Sequence, residues 1–314
     1  MAHPTLEDVA ARAGVSRALV SLVMRGSPKV GRERREAVLE AARELGYRPN
    51  AMARGLAAGR TGIVGVLLAD LHEPVSAAIH DGLAEEAARR DVRLLLTTGR
   101  GRPALERTAL EDLLDLRLDG VVLAYPRITA AEIGRAAAGS PVTVVGRALR
   151  SAGVDCVTGD DAAAVDRAIA HLTSLGHSRI ACLDLGSRPS PLRRTCAAVL
   201  GRTAVLTDPD EPWRAPEPPT AVLALGDATG AAALTALLRA GRNVPGDVSL
   251  IVHGDPPGAR SAPVTTIAPP PRELGRLAMA ALLDRIRDGA PAKARRLTVP
   301  PLLTERGTTG PVRR

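Results

Sequence analysis

The first fifty residues place apolar side chains at the spacing of amphipathic helices. A first helix begins after Thr5, a suitable N-cap, and Asp8 stands three residues later in a short-armed version of the capping box. Gly14 ends this helix, in the left-handed conformation that glycine adopts at little cost. The predicted buried face, spaced i, i+3, i+4 and i+7, consists of Leu6, Val9, Ala10 and Ala13.

Two further helices follow the same rule. Ser16 caps the second helix, whose inner face is Val20 and Val23, and a third helix is predicted over 32–45, before Gly46. The inward positions predicted on the third helix are Ala37, Val38, Ala41, Ala42 and Leu45. Two short helices joined by a glycine-containing turn are typical of a helix-turn-helix, although any small helical bundle has the same pattern.

After residue 61 the pattern changes to short β-rich runs that alternate with amphipathic helices. Strands are predicted at 63–68, 92–96, 120–123, 142–145, 154–158, 179–183, 221–225 and 248–252. Helices are predicted between several of them, at 75–90, 104–116, 162–175 and 228–240. This βαβ repetition indicates parallel sheets covered by helices. Eight or more strands suit two Rossmann-like lobes, with a ligand between them at the carboxyl ends of the strands.

The positive charge is concentrated near the amino terminus. The chain carries a formal charge of +8, and its first sixty residues hold eleven basic and six acidic side chains, a net +5. A basic helical segment favours a polyanionic partner such as DNA. Part of this positive charge also reflects a compositional preference for arginine, since Lys29 and Lys293 are the only lysines.

Two motifs in the helical segment resemble the LacI-type family, which includes the lactose and purine repressors. They are the run Thr-Leu-Glu-Asp-Val-Ala-Ala-Arg-Ala-Gly-Val-Ser at 5–16 and the run Glu-Leu-Gly-Tyr-Arg-Pro-Asn-Ala-Met-Ala-Arg-Gly-Leu at 44–56. The resemblance implies a DNA-binding headpiece at 1–47, a hinge helix and linker at 48–61, and an effector-binding and dimerisation domain at 62–314. It also implies that the second helix lies in the major groove and that Leu56 opens the minor groove.

The resemblance assigns DNA contacts residue by residue. Arg17, Ala18 and Leu22 match the positions that read bases: Arg17 can pair with a guanine, and Ala18 can touch a thymine methyl. Leu22 departs from the family, which usually has arginine there, and Arg25 stands where the family has asparagine. The implied DNA-contacting residues, with those that hold phosphates or form the hinge, are Thr5, Leu6, Ser16, Arg17, Ala18, Ser21, Leu22, Arg25, Asn50, Ala53 and Leu56.

Elementary chemistry supports a hinge at this place. Pro49 disfavours helix at Arg48, and Asn50 can then cap a short helix. About eight residues are too few for a stable isolated helix, so DNA and a second subunit are needed to order it. Leu56 would act as an apolar wedge in the minor groove, or as a buried residue of an ordinary linker. Gly55, where the family often has serine, weakens the hinge by up to about 1 kcal/mol.

The second domain resembles the same family more weakly, through 161–180, 243–249, 264–267 and 273–275, and such lobes also occur in periplasmic sugar-binding proteins. Most ligand-contacting positions depart from the family; one example is Gly146, where an aspartate is often found before Arg147. The candidate effector-binding residues that remain are Asp70, Arg147, Arg193 (or Arg194), Asp227 and Asp255, each of which is equally a surface or packing residue. We expect a small, charged or otherwise unusual effector, or none.

One segment of the second domain departs from the family in length. Residues 201–219 are shorter by about a helix and contain a proline-rich run with Trp213.

The remaining features narrow the classes of function. No HExxH, P-loop or nucleophile elbow is present, so we expect no enzyme activity, cofactor or metal. No signal peptide opens the sequence and no apolar run is long enough to span a membrane, which favours a cytoplasmic protein over an exported sugar-binding protein. Cys156, Cys182 and Cys196 are expected to be buried thiols. The resulting hypothesis is a homodimeric regulator of a pseudo-palindromic operator, with repression favoured over activation.

Overall fold

The computed structural model describes residues 4–47, 60–186, 191–201, 204–254, 263–289 and 293–313. The chain divides into two compact units, Met1–Thr61 and Gly62–Arg314.

The first unit contains three helices, α1 (Leu6–Ala13), α2 (Arg17–Met24) and α3 (Arg32–Glu44). Thr5 caps α1 in a complete capping box with Asp8, and Gly14 follows the helix with a φ of 65°, as the sequence predicted. Ser16 caps α2 by accepting a hydrogen bond from the backbone N–H of Leu19 at 3.3 Å.

The core of this unit lies where the three helices meet. Val9, Val20 and Val38 contribute one fully buried valine from each helix. The prediction that Ala37 faces inward is wrong, because Ala37 is exposed and the buried stripe of α3 is narrower than the pattern suggested. Val30, in the loop before α3, joins the core although the helical spacing did not identify it.

The second unit has two lobes, each with a six-stranded sheet. Lobe 1 has the strand order β11–β5–β4–β3–β1–β2, all parallel, with helices on both faces. Its strands are β1 (Ile63–Leu68), β2 (Arg93–Thr98), β3 (Gly120–Ala124), β4 (Val142–Val145), β5 (Val154–Gly159) and β11 (Arg296–Val299), and its helices are α4 (Pro74–Arg89), α5 (Pro103–Asp115), α6 (Ala130–Gly139) and α10 (Pro271–Asp288). The central strands are almost entirely apolar because both of their faces are covered.

Lobe 2 has the order β12–β10–β9–β8–β6–β7, in which only β12 pairs antiparallel. Its strands are β6 (Ile180–Leu183), β7 (Val205–Leu206), β8 (Ala221–Leu225), β9 (Ser249–His253), β10 (Thr265–Ala268) and β12 (Leu302–Thr304), and its helices are α7 (Asp161–Ser174), α8 (Pro191–Leu200) and α9 (Asp227–Arg239). Between β7 and β8 the structure describes a single 3-10 turn, Glu211–Arg214, in the segment that the sequence marked as short.

The chain passes between the lobes three times: after β5, after β10, and between β11 and β12. Two of these crossings touch, since a Cβ added at Gly159 would lie 2.8 Å from Pro269 Cγ. The carboxyl ends of the strands in both sheets therefore lie close to the crossings. We call the space between these strand ends the cleft.

Helices α4 and α10 cross in lobe 1 at glycines. A Cβ added at Gly82 would lie 1.9 Å from the carbonyl oxygen of Arg272, and one added at Gly275 would lie 2.1 Å from the carbonyl oxygen of Ile79. The two backbones consequently approach more closely than any side chain at these positions would allow.

A buried ion pair joins α10 to the sheet of lobe 1. Asp155 in β5 is fully buried, and Arg285 donates to it from Nη2 at 2.6 Å and from Nε at 2.9 Å. The backbone N–H of Arg295 donates to the same carboxylate at 2.7 Å. Burial raises the pKa of Asp155, but the hydrogen bonds and charges of the two arginines outweigh it and hold that pKa below its ordinary value.

The cysteines differ in part from the expectation. Cys182 in β6 and Cys196 in α8 form a disulfide with a Cα–Cα distance of 6.5 Å, whereas Cys156 is a buried free thiol as expected. The pairing was not predicted because it depends on how α8 packs against β6, which the spacing of the cysteines does not encode. Within the described ranges, no helix combines the length and apolarity needed to cross a membrane.

Candidate nucleic-acid interface and effector cleft

Helix α2 presents one face to solvent. Val20 and Val23 point into the core, whereas Arg17, Ala18 and Arg25 are exposed on the remaining surface. Leu22 is also exposed at 36% and is unusual as a large apolar side chain on this surface. The predicted base-reading residues Arg17, Ala18 and Leu22 therefore lie outside the core, and their contacts with DNA remain predictions.

Arg17 is held loosely. Its Nη1 lies 3.3 Å from Glu7 Oε1 in α1, and both side chains are about two-thirds exposed. An exposed ion pair of this kind contributes only about 0.2–1 kcal/mol, so Arg17 can leave Glu7 for a stronger partner. Arg25, the residue that follows α2, donates from Nε to the carbonyl oxygen of Ser21 in the last turn of that helix at 3.2 Å.

The amino end of α1 is organised by Thr5 and Asp8. The backbone N–H and the hydroxyl of Thr5 donate to Asp8 Oδ2 at 2.7 and 2.8 Å, and the Asp8 N–H donates to Thr5 Oγ1 at 3.3 Å. These hydrogen bonds, the backbone one first, lower the pKa of Asp8. The Thr5 hydroxyl is thus already used within the helix, and the half-buried Leu6 packs against the core. The DNA contacts predicted for Thr5, Leu6, Ser16 and Ser21 stay predictions.

Some predicted site residues lie outside the described ranges. These are the hinge residues Asn50, Ala53 and Leu56, and the candidate effector residue Asp255.

In the cleft, the aromatic residue Tyr125 was missed by the sequence analysis. It follows β3 with a φ of 50°, and its ring packs over Gly146, where an added Cβ would lie 2.2 Å from the ring. Gly146, at a φ of 76°, is therefore the residue that makes room for Tyr125. The glycine at 146, where the family often has aspartate, is what leaves space for this rare aromatic residue. The two features together were the sequence signal that could have identified Tyr125 as a site residue.

Carboxylates of both lobes act on the phenol of Tyr125. Burial, followed by the negative charges of Asp161, Asp227 and Glu73, raises the pKa of its phenol. Asp161 and Asp227 begin helices α7 and α9 of lobe 2, whereas Tyr125 belongs to lobe 1. The cleft therefore brings an aromatic ring and carboxylates of both lobes together. Burial and then Asp160 also raise the pKa of Asp161.

Two predicted effector residues are engaged in hydrogen bonds within lobe 1, Arg147 with the neighbouring loop after β3 and Asp70 with its own loop. Arg147 follows β4 and donates from Nη1 to the carbonyl oxygens of Pro126 at 3.1 Å and Ile128 at 2.5 Å, which supports the loop after Tyr125. Asp70 follows β1, and its Oδ1 accepts a hydrogen bond from the backbone N–H of His72 at 3.0 Å. That bond and the His72 ring lower the pKa of Asp70.

The other predicted effector residues lie in lobe 2. Asp227 follows Gly226, and its carboxylate lies over the next strand end, since a Cβ at Gly254 would be 2.0 Å from Asp227 Oδ1. Arg193 is half-buried in α8, and the neighbouring Arg194 is exposed. His253, at the end of β9, was not identified from the sequence; burial lowers its pKa.

A basic three-helix unit, followed in the chain by a two-lobed α/β unit, is the architecture of a class of DNA-binding transcriptional regulators. The family description "Bacterial regulatory proteins, lacI family" matches residues 5–50. "Periplasmic binding proteins and sugar binding domain of LacI family" matches 61–206, and "Periplasmic binding protein-like domain" matches 169–309. The chain belongs to the LacI family of transcriptional regulators, as the motifs at 5–16 and 44–56 predicted.

Relatives match along nearly the whole chain. The HTH-type transcriptional regulator PtxS of Pseudomonas putida is 31% identical over 98% of this chain and 96% of its own length. The HTH-type transcriptional repressor CytR of Escherichia coli is 29% identical over 90% of each chain. The crystal structure of the lac repressor dimer bound to operator and the anti-inducer ONPF has a TM-score of 0.79 and 24% identity, over 98% of this chain and all of that one. This last similarity confirms the predicted fold class.

Proposed function

We propose that this chain is a sequence-specific transcriptional repressor that acts in the cytoplasm on a pseudo-palindromic operator. The observation that carries the proposal is the exposed face of α2, on which Arg17, Ala18 and Leu22 stand clear of the core. A helix of this kind fits the major groove, where arginine can pair with guanine and small apolar groups can meet thymine methyls. Repression follows most simply from occlusion of a promoter, and CytR is a repressor by its name.

The departure from the family at Leu22 leads to a prediction of the bases in the half-site. An exposed leucine on the reading face has no hydrogen-bond donor, so it would contact apolar base edges, of which the thymine methyl is the main one in the major groove. Arg17 would supply the guanine contact after leaving Glu7. We therefore expect a half-site that contains both a guanine and an A·T pair.

A second copy of the chain is the proposed partner. The edge strand of lobe 1, β2, has exposed apolar side chains at Leu95 and Leu96. An uncovered edge strand with such side chains favours association, and a two-fold dimer would cover it. The dimer would also set two headpieces on two half-sites. Within that arrangement Asn50, Ala53 and Leu56 would form paired hinges that wedge the minor groove.

The cleft is the proposed site of a small-molecule effector. Tyr125 offers an aromatic face, and Asp161 and Asp227 offer carboxylates from the other lobe. Asp70, Arg147, Arg193 and Asp255 would complete or support the site. An effector that bound both lobes would change their closure and thereby the affinity for DNA.

Arg17→Ala tests the reading face. We expect this variant to lose about 1–3 kcal/mol of binding free energy and to lose its base preference at one position of the half-site only. The measurement is the affinity for a set of operators with single base changes. Arg34→Ala removes the same charge from an exposed position on α3 and serves as the matched control. A loss that is equal for every DNA sequence in Arg17→Ala would make Arg17 a phosphate contact and would contradict the proposal.

The effector proposal has its own test. Thermal unfolding is followed with a panel of sugars, amines and small acids, since a ligand at 100 times its Kd stabilises the protein by about 2.7 kcal/mol. The stabilisation should be lost in Asp227→Asn. If no compound raises the melting temperature while operator binding is intact, the chain acts without an effector of these classes. Tight binding of an ordinary neutral sugar would contradict the expectation of an unusual or charged ligand.

A further inference from the structure

A second cavity lies in lobe 2, away from the cleft. Its volume is about 200 Å³, and its floor is formed where β8 and β9 begin, at Thr220 and Val248. Arg179, which precedes β6, lines the same cavity. The cleft is at the carboxyl ends of the strands, so the cavity and the cleft lie at opposite ends of the strands of this sheet.

The shortened segment between β7 and β8 forms one wall. Trp213, the only tryptophan of the chain, lies in the 3-10 turn and lines the cavity with Pro218 and Pro219. The indole is half-buried and packs against the apolar core of the lobe. Its Nε1–H is buried and has no hydrogen-bond acceptor among the described residues, which leaves an indole donor without a protein partner.

Three arginines border this cavity: Arg179, Arg242 and Arg313. None of the three forms a close ion pair with a carboxylate in the part of the chain that the structure describes. Two of them still act on the nearby Asp247, whose pKa is lowered by the backbone hydrogen bond from Asn243 and then by the charges of Arg313 and Arg242. The only carboxylate of the lining is Asp247, whose Oδ2 accepts hydrogen bonds from the backbone N–H and the side-chain amide of Asn243 at 2.8 and 3.1 Å. The lining therefore carries a net charge of +2.

All three arginine side chains are exposed, and two of them, Arg179 and Arg313, contact the walls of the cavity. Arg179 donates from Nε to the carbonyl oxygen of Pro218 at 3.1 Å. Arg313 lies against the turn at Gly246, where an added Cβ would be 3.5 Å from its Nη2. The preceding residue, Val312, donates its backbone N–H to the carbonyl oxygen of Leu175 at 3.0 Å, which fixes this end of the chain to the lobe.

We propose that this cavity binds a small aromatic carboxylate. Guanidinium groups of Arg242 and Arg313 would hold the carboxylate, since the planar fork of arginine matches its two oxygens. Trp213 and the two prolines would cover the flat apolar ring. The volume suits this class, because a cavity of about 150 Å³ already accommodates one benzene ring. The site is separate from the effector cleft and from the DNA-binding face, and the proposal does not depend on either.

The sole tryptophan makes the test direct. Full-length protein is titrated with benzoate at near-physiological salt, and indole fluorescence is followed with excitation that avoids the tyrosines. We expect a saturable change in fluorescence with benzoate, and much weaker binding with acetate, inorganic phosphate or uncharged benzamide. Benzamide binding as tightly as benzoate would show that the arginines are not used. Phosphate or acetate binding as tightly would show that the ring is not used. Either result would overturn the proposal.

Variants locate the site. Arg242→Gln and Arg313→Gln should each weaken benzoate binding by about tenfold or more, the usual effect of losing a hydrogen bond to a charged group. Arg150→Gln, an exposed arginine of lobe 1, is the charge-matched control and should leave the Kd within about twofold. Because two cavity variants are used, the test does not depend on the folding of either one alone, and circular dichroism shows whether each is folded. Unchanged affinity in both cavity variants, or a loss in Asp227→Asn at the cleft, would overturn the assignment of the ligand to this cavity.

Discussion

Removal of Arg285 is expected to be among the most damaging single changes outside the functional sites. Asp155 is completely buried, and Arg285 is 5% exposed and supplies two of its hydrogen bonds, at 2.6 and 2.9 Å. In Arg285→Met the carboxylate keeps only Arg295, whose side chain is partly exposed. Breaking a buried ion pair by removal of one partner costs about 3–5 kcal/mol, because it leaves a buried charge that is poorly compensated. That loss is a large part of an ordinary stability of about 5–15 kcal/mol.

The assay is urea unfolding at neutral pH, in which a lower midpoint at constant slope measures the loss. Arg287→Met is the matched control, because Arg287 stands two residues later on α10, is mostly exposed, and pairs with Asp284 and Asp288. That surface arrangement should contribute less than about 1 kcal/mol. Equal destabilisation by the two substitutions would refute the reasoning.

The pH dependence gives a second readout of the same pair. The folded pKa of Asp155 is below the ordinary value of 3.8, so the pair's contribution is complete above that value and is lost as the pH falls through the folded pKa. In Arg285→Met the same carboxyl is buried with less compensation, and its pKa should rise. The difference in stability between the wild type and Arg285→Met should therefore begin to shrink as the pH falls through the raised pKa of the variant, and it should continue to shrink until the pH has passed the lower folded pKa of the wild type. A difference that stayed constant with pH would exclude Asp155 as its source.

Three other substitutions test the packing and the headpiece. Gly275→Ala should destabilise by about 1–3 kcal/mol in urea unfolding although alanine is the better helix former, because its Cβ would lie 2.1 Å from the Ile79 carbonyl oxygen; a stabilised variant would contradict this. Gly146→Ala should cost about 2–4 kcal/mol through its positive φ and its clash with Tyr125, and clearly less in a Tyr125→Ala background. Thr5→Ala should lower headpiece stability by about 0.5–2 kcal/mol, seen as earlier loss of helical circular dichroism; an unchanged transition would mean that the cap is not used.

Much of the fold was predictable from local patterns. The strands at 63–68, 142–145 and 221–225 were predicted to the residue, because short apolar runs between glycine, proline and aspartate leave little choice of register. The caps of α1 and α2 were also predicted, because each depends only on residues three positions apart. Ala37 was placed wrongly because the spacing alone does not say how wide a buried stripe the neighbouring helices can cover.

The sites were less predictable because they depend on residues that are distant in sequence. Tyr125 and Gly146 are 21 positions apart, and only the parallel pairing of β3 with β4 brings them together. Arg147 was proposed for effector binding from the family resemblance alone, whereas its guanidinium supports the loop at Pro126 and Ile128. Likewise, the short segment around Trp213 was noted in the sequence, but the arginines that share its cavity come from separate loops.

The central claim, that α2 reads DNA in the context of a two-fold dimer, is tested most directly by selection of bound sequences from a random DNA pool with the full-length protein at low salt. The account predicts an enriched site with two inverted half-sites, in which Arg17→Ala relaxes the preference at one position of each half. Recovery of sequences with no enrichment over the starting pool would contradict it.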